Sequence, residues 1–196
     1  MKNEYIKNLS IFCILYLSLI LGFFYDENLN YGAYKDWIGA YLNPVKDFSQ
    51  NFSSTLLNYD DYGQRHSPIY LIFLSTFLRF DFTLDQIRFL HLHLSLPLIY
   101  FFYKCLHLRF QNVKQIYLVV LSCVIFLSPT FRSLSIWPDS RLPGLMFFTI
   151  TIYFFLKYQT NYLEKYAWLT STFLIISSYI SPNFSLFFPF FFYFFQ

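Results

Sequence analysis

The chain alternates apolar runs with short polar connections, and the length of each run limits what it can be. Seven runs stand out: Leu9–Tyr25, Ser67–Phe80, Phe89–Tyr103, Ile116–Phe131, Leu142–Leu156, Ala167–Ser181 and Leu186–Phe195. A helix that crosses a bilayer needs about 20 apolar residues, within a range of roughly 17–25. Several runs approach or reach that length. Ser67–Phe80 does not: its 14 residues suit a re-entrant or interfacial helix, opened by Ser67-Pro68 near the first helical position.

The placement of charge decides between topologies. Lys2 and Lys7 put the amino terminus inside. If every run crossed, Lys104, Arg109 and Lys114 would lie outside, against the bias of short Lys/Arg-rich loops toward the cytoplasm. If Ser67–Phe80 stays on one side, the second crossing is Ile87–Leu106, running from outside to inside. Lys104, Arg109, Lys114, Lys157 and Lys165 then all become cytoplasmic. The short turn carrying Arg132, Asp139 and Arg141 falls outside. The expected fold is all-α: a polytopic transmembrane bundle of about six crossings, one domain over residues 1–196, with Pro97 kinking the second crossing.

Residues 26–86 form a single external loop in this topology. It holds eight acidic residues against Lys35, Lys46, Arg65 and Arg79, a net charge of −4. Within it, Val45, Phe48, Phe52, Leu56 and Leu57 recur near helical spacing, which predicts an amphipathic helix along the interface. The segment from Ser67 is a second such juxtamembrane helix.

Composition agrees. The chain is 56% apolar and 13% charged, where soluble domains carry about 25% charged residues. An integral membrane protein is expected, with a cytoplasmic amino terminus and an external first loop. The first run is longer than a signal-peptide core and no small-x-small cleavage site follows it. The carboxyl end, LFFPFFFYFFQ, stops inside an apolar run, as a truncated reading frame would. Cys13, Cys105 and Cys123 all lie in apolar runs without Cys-x-x-Cys spacing, so buried thiols are expected, not a disulfide framework or a metal site. There is no Walker motif, dinucleotide-binding glycine pattern, HExxH or GxSxG.

Three stretches of the loop and its flanks, DENLNYGAYKDW, RHSPIYLIFL and IRFLHLHL, occur in an order with known parallels. A fourth is LSPTFRSLSIWPDSRLPGLMFFTITIYFFLKY, an external turn with an acid before a helix. The arrangement resembles the GT-C superfamily of membrane glycosyltransferases, such as protein O-mannosyltransferases and aminoarabinose-type lipid A transferases. There an acid follows the first helix, a His-Pro-Pro or Lys-Pro-Pro motif starts a juxtamembrane helix, and an arginine opens the next crossing. Here His66-Ser67-Pro68 replaces the double proline, and both Asp26-Glu27 and Asp36 are eligible as the acid. Asp36 is favoured because Trp37 follows it, and YGAY joins it to Gly32, taken as a flexible link.

The resemblance implies transfer of a sugar from a polyprenyl-phosphate carrier to an acceptor hydroxyl on a glycan, lipid or protein. Nucleic acid is not an expected partner. Such attack needs a carboxylate as general base, with Asp36, Asp26 and Glu27 as candidates. The departing phosphate needs cations, and Arg65, Arg88, Arg141 and His66 are candidates, with Asp139 lining the same site. A divalent cation between the acids is compatible with the chemistry but not required by the spacing. Asp60-Asp61 before Gly63 reads as a turn, and His91 and His93 point to different faces of a helix. Two other function classes stay open. A transport or channel subunit would place ionisable groups mid-membrane. A non-catalytic fragment of a larger membrane protein would fit the abrupt carboxyl end.

Overall fold

Helix α1 (Lys2–Phe24) takes up the first run as far as Phe24. Leu19 and Phe23 face the core, while Ile14, Leu17, Leu21 and Phe24 stay exposed, as on a helix with one face toward lipid. It ends in a Schellman turn: the Glu27 N–H donates to the Gly22 carbonyl, the Asp26 N–H donates to Phe23, and Asp26 takes the left-handed conformation at φ 50°. These features come from a computed structural model that describes residues 2–28, 32–64 and 66–194. The described residues are helical and contain no strand.

The loop is more ordered than its polarity suggests. Helix α2 (Gly32–Asp36), a π-helical turn (Trp37–Tyr41) and α3 (Leu42–Gln50) follow one another without a break. Gly32 thus opens a helix and is not the flexible link expected. Trp37, Tyr41, Val45 and Phe48 are buried along one side and anchor this stretch to the core. The predicted amphipathic helix breaks at Asn51, and α4 (Phe52–Leu57) and a 3-10 turn (Tyr59–Tyr62) carry it on. Gly63 closes that turn at φ 60°, so Asp60-Asp61 does mark a turn.

Helix α5 (Ile69–Arg79) spans 11 residues, short of a crossing, and packs on α3. A second Schellman turn ends it, with Asp81 at φ 60°. Thr83 and Gln86 form a capping box that starts α6 (Leu84–Leu92). Helix α7 (Ser95–Arg109) continues its direction after a bend at His93-Leu94. Pro97 is the cause: it has no N–H for the His93 carbonyl, and the Leu96 N–H bonds there instead.

Helix α8 (Gln115–Cys123), a 3-10 turn (Val124–Leu127) and α9 (Pro129–Ile136) form a pair bent by 71°. Arg132 therefore lies on a helix, where a short external turn was expected. Helices α10 (Arg141–Asn161) and α11 (Glu164–Ile180) form a close hairpin, followed by a 3-10 turn (Pro182–Phe187) and α12 (Phe188–Phe194). At Gly144 an added Cβ would lie 2.6 Å from Ser181 Cβ, so the absent side chain lets the two helices meet.

Among the described residues, Ile6–Phe24 and Leu84–Arg109 are long and apolar enough to cross a membrane, and the bent α8–α9 pair makes a third if it counts as one span. Cys105 and Cys123 are buried, whereas Cys13 is exposed on the outer face of α1, contrary to expectation.

Candidate functional site

Three arginines gather the loop and the helix ends at one end of the bundle. Arg141, the first residue of α10, donates from Nη2 to Asp36 Oδ2 at 2.6 Å and to Asp139 Oδ2 at 2.6 Å. Its Nε and its backbone N–H both reach Asp139 Oδ1 at 2.8 Å. Asp139 is completely buried, so it holds Arg141 in one pose. Asp36 and Arg141 keep 45% and 41% of their side chains exposed, so this side of the trio is open to solvent. Among the described residues, Asp36 Oδ1 has no protein partner.

Asp36 stands on the wall of a cavity of about 390 Å³, together with Tyr41, Asn43, Tyr62, Gln64 and His66. The cavity is mostly polar. Gln64 donates to the Ala40 carbonyl at 2.8 Å, and Tyr62 donates to Asp47 at 2.5 Å, so the floor is tied to the helices beside it. His66 Nδ1 is sequestered from solvent and has no hydrogen-bond partner among the described residues. Burial, with the nearby Asp139 carboxylate, pushes the Tyr41 phenol up to about 12.

Two neighbouring ion pairs do other work. Arg88 donates to Asp26 at 2.6 Å and Asp85 at 3.0 Å, and its guanidinium lies 3.7 Å over the Trp137 ring. It does not line the cavity that Asp36 lines, so Arg88, a candidate cation for the phosphate, stands apart from Asp36. Arg132 grips both carboxylate oxygens of Glu27, with Nε–Oε1 at 2.6 Å, and also reaches Ser18 and the Phe126 carbonyl. Glu27 is only 16% exposed and fully engaged, which makes it a structural partner and a poor base. Trp137 joins the pairs by donating from Nε1 to the Glu27 carbonyl at 2.9 Å.

Of the sequence candidates, Asp36, His66, Asp139 and Arg141 come together. Asp26, Glu27 and Arg88 form the adjoining struts. Arg65 lies outside the described residues. His91 is buried between the Tyr70 hydroxyl and the Leu134 carbonyl, a structural role, while His93 faces α1 beside Tyr16. Sequence reasoning missed Arg132, Tyr41 and Trp137. The signal for Arg132 was a charged residue closing an apolar run, where an ionisable group needs a partner. No family model, curated protein or solved structure matches the chain. Among the described residues no group of three or more His, Cys, Asp or Glu side chains is placed to hold a metal ion.

Proposed function

We propose that the chain is a membrane glycosyltransferase of the GT-C kind, transferring a sugar from a polyprenyl-phosphate carrier to an acceptor hydroxyl at the external face. One observation carries the reading. Asp36 is a half-exposed carboxylate on the wall of a polar cavity, aimed by Arg141, which the buried Asp139 holds in turn. A base positioned in advance lowers the entropic cost of reaction. Asp36 Oδ1 takes the acceptor proton as the hydroxyl oxygen attacks the anomeric carbon. The sugar–phosphate bond breaks and its electron pair leaves with the carrier phosphate. His66 faces that phosphate, and Arg141 supplies further positive charge.

The topology belongs to the same proposal. The crossings are α1, α6–α7, α8–α9, α10, α11 and the segment from the last 3-10 turn through α12, about six in all. The amino terminus is cytoplasmic and the 26–86 loop periplasmic, in a bacterial inner membrane. The ion pairs favour it: Asp26–Arg88, Glu27–Arg132 and Asp36–Arg141 bring together the ends of α1, α6, α9 and α10 that this topology puts outside. A transport subunit is less well supported, because the buried His91 within the second span has both ring nitrogens engaged.

The test is transfer of labelled sugar from a polyprenyl-phosphate donor by the full-length protein. Asp36→Asn is expected to lower turnover about 10²–10⁴-fold, the usual weight of a general base, while Asp60→Asn leaves it unchanged. Near-normal turnover in Asp36→Asn removes Asp36 from the role. Absence of any transfer by the native protein with polyprenyl-phosphate sugars removes the reading itself.

A further inference from the structure

The opposite end of the bundle holds a groove of about 550 Å³ between the end of α7, the second half of α10 and α12. Its lining is split by chemistry. Arg109, Gln159 and Thr160 supply a polar rim, and Phe155, Leu156 and Phe190 an apolar floor. Arg109 is exposed. Among the described residues it is the arginine with neither an ion pair nor a hydrogen bond, whereas Arg79, Arg88, Arg132 and Arg141 are each held by carboxylates or carbonyls. The Gln159 amide is likewise uncommitted.

The charge around the groove is one-sided. Lys7, Lys104, Arg109, Lys114, Lys157 and Lys165 lie toward this end, against Glu164. Lys104 and Lys157 rest on the tyrosine rings Tyr100 and Tyr153 and have no carboxylate partner among the described residues. Basic pockets between membrane helices suit lipid headgroups on the cytoplasmic side. A free anion would satisfy Arg109 but leave Leu156 and the half-exposed ring of Phe190 uncovered.

We propose that this groove binds one anionic phospholipid, its phosphate on Arg109 and Gln159 and an acyl chain over Leu156 and Phe190. The site requires only that the basic end meets a lipid surface, so it stands or falls separately from the chemistry at the other end. The full chain is placed in nanodiscs of equal phosphatidylglycerol and phosphatidylcholine, released into detergent, and its retained lipids are counted by native mass spectrometry. Phosphatidylglycerol is expected to be enriched. Arg109→Gln should cut the enrichment about fivefold, the weight of one cation beside an anionic surface. Arg109→Lys should retain most of it, and Lys165→Gln, outside the groove, all of it. Equal retention of the two lipids by the native chain overturns the proposal, and needs no variant. So does an equal drop in Arg109→Gln and Lys165→Gln, which would mark diffuse surface charge.

Discussion

At the scale of single residues, Gly22 shows how little room the buried ion pair leaves. A Cβ there would lie 2.3 Å from Glu27 Oε2 and 2.7 Å from Arg132 Nη2. Gly22→Ala is therefore expected to split the pair and lower stability by about 3–5 kcal/mol, the usual cost of leaving a buried charge unpartnered. Gly39→Ala is the control, because its Cβ meets nothing within 4 Å. Thermal unfolding in one detergent measures both, and equal melting points would show that the pair adapts. Tyr41 offers a spectroscopic check. Its phenol pKa rises from 10.0 to about 12 through burial, so its proton is held above the pH at which an unfolded tyrosine loses it. Stability from this group is complete below pH 10.0 and is lost as pH climbs toward about 12. Tyr41→Phe should remove one late-titrating phenol from the ultraviolet titration and flatten the alkaline loss of stability. The candidate acids were legible in the sequence because carboxylates are scarce in an apolar chain. Their partners were not, since Asp36–Arg141 and Glu27–Arg132 each join residues 105 positions apart.

At the scale of elements, the two Schellman turns invite a matched experiment. Asp26 and Asp81 both occupy a position that glycine fills at lower cost. Relief of left-handed strain is worth about 1–2 kcal/mol, more than the roughly 0.4–1 kcal/mol that glycine's freedom adds to the unfolded chain. Asp81→Gly should therefore stabilise slightly. Asp26→Gly relieves the same strain but removes a partner of Arg88, so it should come out less stable than Asp81→Gly in the same melt. The reverse order would mean that Asp26–Arg88 contributes nothing. The apolar pattern foretold α1, the second span, the short α5 and the α10–α11 hairpin, because run length and burial go together in a membrane chain. It did not foretell the continuous helical path from Gly32 to Gln50, whose buried Trp37, Tyr41, Val45 and Phe48 are too widely interleaved with polar residues to read as a run. The extension of α9 through Arg132 was hidden for a similar reason, since its charge is satisfied by a residue on another helix.

At the scale of the whole molecule, charge is polarised, with acids gathered around the candidate site and unpaired cations at the far end. Sidedness follows from that polarity and can be measured. In a Cys13→Ser background, single cysteines replacing Asp61 and Phe82, on either side of α5, should both react with an impermeant reagent applied from outside. Labelling of one but not the other would make α5 a crossing and invert everything after it. The ion pairs that close the site also impose a timetable on biosynthesis. Glu27 and Asp36 leave the ribosome early, yet their partners Arg132 and Arg141 arrive 105 residues later, after a further helix long enough to cross a membrane, Leu84–Arg109, has been made. Until α10 begins, the acidic loop has no cations from α9 or α10 to fasten it and remains open to proteases and chaperones on its own side. A ribosome-stalled chain ending before Arg132 should therefore be cut readily within residues 32–64, and one that includes α10 should resist. The loop first in order of synthesis would thus be the last to settle.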